Sequence, residues 1–166
     1  MPLASLFDIL IDFLTEDGWA PEALPDERVV RVQVRGENGE WSAFAHVREE
    51  QQQVVVYSAL PINAPHPRRA AVMEFVVRAN YGLTIGNFDL DADDGELRFR
   101  TSLDVQGDRL SPALLRQLLW TNVGTSDKYL PGLRAVIEDE AAPGHAVQRV
   151  EDRSARDGHD HDFRAR

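Results

Sequence analysis

Apolar residues recur at helical spacing from Leu3 to Glu16, where Leu3, Leu6, Phe7, Leu10, Ile11 and Leu14 make one stripe that Asp17-Gly18 closes. The pattern then changes to alternation. Val30, Val32 and Val34 share one face of a strand, and Trp41, Ala43, Ala45 and Val47 share the same face of the next. Arg31, Gln33, Arg35, Phe44, His46 and Arg48 lie opposite. Asn38-Gly39 between the two runs predicts a two-residue hairpin loop, which pairs Val34 with Ala43, Val32 with Ala45 and Val30 with Val47. A third strand follows near residues 53–59. Its inward face is unmarked, because Val54-Val55-Val56-Tyr57 is apolar throughout.

Residues 68–81 read as a helix with Val72, Phe75, Val76 and Ala79 on one stripe. Met73 and Val77 widen that stripe beyond what one sheet face needs, which predicts burial on two sides. A second hairpin occupies residues 85–105 with Asp94-Gly95 as its turn. That register pairs Leu90 with Phe99 and Ala92 with Leu97, and sets Asp91 against Arg98 and Asp89 against Arg100. Moving the loop one residue earlier would oppose Asp91 and Glu96, so the first register is preferred. Ser111-Pro112 opens a third helix carrying Leu114, Leu115, Leu118, Leu119, Trp120 and Val123, and a short helix is expected after Pro131, over 133–138.

The predicted order is α-β-β-β-α-β-β-α. It describes an α+β domain over residues 1–140, with an antiparallel sheet of about five strands and helices packed on one face. From Ala141 onward charged and polar residues dominate, so 141–166 is expected to be a disordered tail.

Composition narrows the function. The 166 residues are 43% apolar, enough for a core, and the formal net charge is −10. Nucleic acid and anionic lipid both demand a basic surface, so neither is expected as a partner. There is no cysteine, which removes disulfides and thiolate chemistry. The N-terminal residues lack a signal-peptide pattern and no apolar run is long enough to span a bilayer, so a soluble cytoplasmic protein is expected.

Candidate chemistry is sparse. Asp89 to Glu96 resembles the start of a calcium loop, but Asp94 stands where the turn glycine belongs and Arg100 stands where the bidentate carboxylate belongs. A hairpin turn explains it better. His159-Asp160-His161 could bind a transition metal only adventitiously in a disordered tail. His46 lies mid-strand beside arginines and His66 sits in a proline loop, so both read as surface or capping residues rather than general bases, and Gly82 and Gly86 read as turn residues. Trp19, Trp41 and Trp120 read as core or domain-edge anchors, and Trp19 is the one of the three most open to exposure. No catalytic residue, metal site or cofactor is expected. One constellation stands out: Arg31, Arg35, Phe44, His46, Arg48, Arg98 and Arg100 gather on the outward sheet face. A basic face with an aromatic suits an acidic, extended partner. The same pattern also describes a solvated face on which Asp89 and Asp91 neutralise two arginines.

Several local sequences carry a resemblance. Asn80-Tyr81-Gly82-Leu83-Thr84-Ile85-Gly86-Asn87-Phe88-Asp89-Leu90-Asp91 continues through Asp94-Gly95-Glu96-Leu97-Arg98-Phe99-Arg100-Thr101-Ser102. Upstream stand Phe13-Leu14-Thr15-Glu16-Asp17-Gly18-Trp19 and Tyr57-Ser58-Ala59-Leu60-Pro61. Over roughly residues 3–138 the chain resembles the YbjN family of small bacterial proteins. The resemblance implies a fold like that of type III secretion chaperones, a homodimer and a non-catalytic role in protein binding or signal transduction. The expected function is a chaperone-like or adaptor module that binds a client protein. The alternative is a regulatory domain that senses a small ligand held between helix and sheet. Met73 and Val77 are the expected dimer contact.

Overall fold

Ser5 caps the first helix, α1 (Leu6–Glu16), through reciprocal hydrogen bonds with Asp8. The helix buries Phe7, Leu10, Phe13 and Leu14 in the core. The computed structural model describes residues 4–157, so Leu3 lies outside the described residues. Among the described residues six antiparallel strands make one sheet: β1 (Glu22–Leu24), β2 (Val29–Arg35), β3 (Glu40–Arg48), β4 (Gln53–Asn63), β5 (Asn87–Leu90) and β6 (Glu96–Asp104). Their spatial order is β1-β2-β3-β4-β6-β5. The strand beyond the expected five is β1, three exposed residues in the proline-containing connector. The other helices are α2 (Arg69–Gly82), α3 (Pro112–Glu138) and α4 (Pro143–Asp157). One core cluster joins α1, the inward side chains of β2 to β4 and the first half of α3. A second joins α2, β5, β6, the second half of α3, and α4.

Both hairpin registers differ from the local turn signals. Val34 pairs with Trp41, Val32 with Ala43 and Val30 with Ala45. The faces are those expected, because a two-residue slip preserves the side-chain period. The loop has four residues, Gly36 to Gly39, and closes with Gly36 N–H donating to Gly39 O at 2.8 Å. Asp127 of α3 holds it open. Its carboxylate accepts from Asn38 N at 2.9 Å, Glu37 N at 3.2 Å and Asn38 Nδ2 at 3.2 Å. A Cβ on Gly36 would overlap that carboxylate, so the close approach requires glycine. In the second hairpin Leu90 pairs with Leu97, Phe88 with Phe99 and Asp89 with Arg98. This is the register disfavoured on charge grounds. Asp91 escapes Glu96 because its side chain turns back to accept from Asp93 N at 2.8 Å.

The helix expected after Pro131 is instead the last part of a continuous 27-residue α3. Proline removes the N–H that would bond to the Asp127 carbonyl. Asn38 Nδ2 takes up that carbonyl at 3.1 Å. Asn122, also on α3, ties helix to sheet. Its Nδ2 donates to Val56 O and Phe99 O, and its Oδ1 accepts from Ser58 Oγ at 2.6 Å, which in turn accepts from Trp41 Nε1 at 2.8 Å. These buried polar groups are all satisfied. Trp19 is buried rather than exposed, tilted against Trp120 at 5.6 Å.

The largest departure is the C-terminal segment. Residues 143–157, expected to be disordered, form α4 and bury Ala146, Val147 and Val150 against α2 and α3. Three small apolar side chains among charges suffice because the groove that receives them is itself apolar. His159 and His161 lie outside the described residues. Helix α2 is buried on two sides along Val72, Phe75, Val76 and Ala79, but Met73 and Val77 are not part of that burial and are 40% and 69% exposed.

Candidate functional site

Alternation places every second residue of β3, β4 and β6 on the face turned away from the helices. Cross-strand pairing then builds rows. Arg31, Phe44, Tyr57, Arg100 and Asn87 stand side by side from β2 to β5, and Gln33, Ser42, Ala59, Arg98 and Asp89 form the next row. His46, Val55 and Ser102 form a third. The middle of this face is half-buried and apolar, with Phe44, Val55, Tyr57 and Ala59 at its centre. It is a shallow cleft of about 860 Å³.

The structure gathers five of the seven residues expected there. Phe44, His46, Arg48, Arg98 and Arg100 line the cleft. Arg31 and Arg35 do not. Arg31 pairs with Glu22 at 2.8 Å and Arg35 with Glu40 at 3.2 Å, both towards the sheet edge. Tyr57, Val55 and Ala59 of β4 were not expected. The unbroken apolar run of that strand hides its alternation, and only its pairing between β3 and β6 reveals which side chains face out.

Tyr57 organises the centre. The Arg98 guanidinium lies over its ring, 4.4 Å from the centroid, and the His46 ring meets it edge-on at 5.3 Å. Asp89 serves two cations, Arg98 at 3.1 Å and Arg100 at 3.4 Å. Arg100 Nε, shielded from solvent, makes no hydrogen bond there, so its contact with Asp89 is electrostatic. Arg48 donates to Gln53 Oε1, and Gln53 donates to Asp104. The face is therefore an aromatic centre inside a rim of mostly compensated charges, rather than a bare basic patch. Burial, and next the nearby Arg98, hold the His46 imidazole below its ordinary pKa, while Glu27 opposes them.

The interior between the helices and the sheet has little room for a small molecule. The space between α1, α3 and the sheet is about 10 Å³, room for roughly one water. Among the described residues no group of three or more acidic, histidine or cysteine side chains could hold a metal ion. Among the same residues no helix is long and apolar enough to cross a membrane.

A family model matches residues 7–135, that of YbjN, described as "Putative bacterial sensory transduction regulator". The chain belongs to the YbjN family. The fold agrees. YbjN from E. coli superposes with a TM-score of 0.58 at 11% identity, covering 78% of this chain and 89% of the other. A chain of the ExsC–ExsE complex gives 0.51 at 11% identity, with 75% and 90% covered. The type III secretion chaperone SycH of Yersinia pestis, solved with a fragment of YscM2, gives 0.45 at 17% identity, with 71% and 93% covered. No curated protein matches the chain in sequence. The YbjN match ends within α3, so α4 lies beyond it.

Proposed function

We propose that the chain is a non-catalytic, chaperone-like adaptor that binds a client protein on its outer sheet face. The observation that carries this reading is the half-open aromatic centre, Phe44, Tyr57 and Val55, inside the rim of His46, Arg48, Arg98 and Arg100. An extended segment laid across such a face would bury apolar side chains at the centre and exchange its carboxylates for those already at the rim. Membership of the YbjN family supports a regulatory rather than a metabolic setting. A fold neighbour held in a two-protein complex, ExsC–ExsE, supports a protein as the ligand. The alternative, a small metabolite between helix and sheet, has about one water's volume available and is the weaker reading.

The test compares the tagged wild-type chain with Phe44→Asp/Arg98→Glu, both checked for native melting. A client should be retained by the first and lost by the second. The same proteins captured equally by both would sink the assignment of the sheet face. We further propose that the chain is a homodimer joined through Met73 and Val77 of α2, whose exposed stripe continues to Tyr81, with Ile85 also exposed just past the helix end.

A further inference from the structure

Helix α4 sits in a groove between α2 and α3. The floor is strongly apolar, made of Phe75, Val76, Ala79, Tyr129, Leu133 and Val136. Gly132 opens it further. A Cβ at that position would come within 2.8 Å of Val150 Cγ2 and 2.9 Å of Phe75 Cε2, so Val150 fills a hole that only glycine leaves. One polar contact fixes the azimuth of the helix: Tyr129 Oη donates to Glu151 Oε1 at 3.1 Å.

The occupant is slight for so apolar a seat. It buries Ala146, Val147 and Val150, while His145, Gln148, Arg149, Asp152, Arg153 and Arg156 face solvent. A helix of 15 residues is marginal by itself and must offset the ordering entropy of the whole segment. It also leaves one flank open. A cleft of about 1,030 Å³ runs beside it, lined by Lys128, Pro131 and Ala135 of α3 and by Arg149 and Arg153 of α4. The link to α3 is strained, because Glu140 adopts φ 54°, a left-handed conformation that costs a non-glycine residue energy. The groove is built largely within the family match, and its occupant lies outside it.

We propose that the α2–α3 groove is a docking site for an amphipathic helix bearing the pattern Ala-Val-x-x-Val-Glu, and that α4 is its resident occupant, displaced when a partner helix of that pattern binds. The pattern is read from the seat itself. Val150 fills the hole at Gly132 beside Phe75, Ala146 and Val147 are buried in the same apolar cluster, and a carboxylate one residue beyond Val150 meets the Tyr129 hydroxyl. This site is separate from the outer sheet face and stands whether or not a client binds there.

The probe is a fluorescent synthetic peptide of residues 141–157. Its partner is the full chain carrying Val147→Asp/Val150→Asp, whose own α4 cannot seat. The peptide should bind this variant at least tenfold more tightly than it binds the wild type, where the tethered α4 competes at high effective concentration. A peptide with the same two aspartates should bind neither. Equal affinity for the two proteins would overturn the proposal, and so would loss of native folding in the variant, which would make α4 part of the obligatory core. Hydrogen exchange on the wild type is the second readout. Amides of 143–157 should exchange well before those of α2 and α3; protection equal to theirs would also overturn it.

Discussion

Asp127 is a buried carboxylate whose work is structural. It accepts three hydrogen bonds from the β2–β3 loop, two of them from backbone N–H groups. Asp127→Ala would leave those donors unmatched near the protein interior. Hydrogen bonds to charged acceptors contribute about 1.5–3 kcal/mol, so urea denaturation should show a loss of roughly 3 kcal/mol. His46 gives a different signature. Its folded pKa lies below the ordinary value, so the unfolded chain binds the proton more readily. Its contribution to stability is present above about pH 6.5 and is lost as pH falls from there towards the folded pKa. His46→Gln should flatten the fall in melting temperature between pH 7 and pH 5, while leaving the alkaline side unchanged. His46 was legible as an outward residue from alternation alone. Its contact with Tyr57 was not, because that depends on which strand lies alongside β3.

At the scale of elements, what the sequence revealed depended on how local the cause was. Helix α1 was legible because stripe and stop signal lie within 16 residues. The start of α3 was legible because Ser111 accepts from Leu114 N, as an N-cap should. The hairpin registers were not, because Asp127 decides one and an Asp91 turn decides the other. Helix α4 was missed because its apolar content is too small to signal burial without its groove. The proline in α3 shows the same dependence. A helix-interior proline ordinarily costs about 3 kcal/mol relative to alanine. Here Asn38 already satisfies the carbonyl that the proline orphans. Pro131→Ala should therefore stabilise the chain by clearly less than that amount, as read from the denaturation midpoint at unchanged slope.

For the whole molecule, the proposed dimer can be tested without endangering the fold. Met73 and Val77 are exposed, so Met73→Glu/Val77→Glu should melt within a few degrees of the wild type. Sedimentation should show two chains for the wild type and one for the variant; a two-chain mass for both would place the contact elsewhere. The loop between β2 and β3 also bears on how the chain reaches its fold. Asn38 and Asp127 are 89 residues apart, so the native four-residue loop cannot be selected until α3 arrives. Before that, Asn38-Gly39 favours its own two-residue turn, and the two registers bury identical faces. Early hairpins should then be frustrated, correct in which side faces the core and displaced in which residues are neighbours. In a synthetic peptide of residues 28–48, nuclear Overhauser contacts should join Val34 to Ala43, whereas in the intact chain the neighbour of Val34 is Trp41.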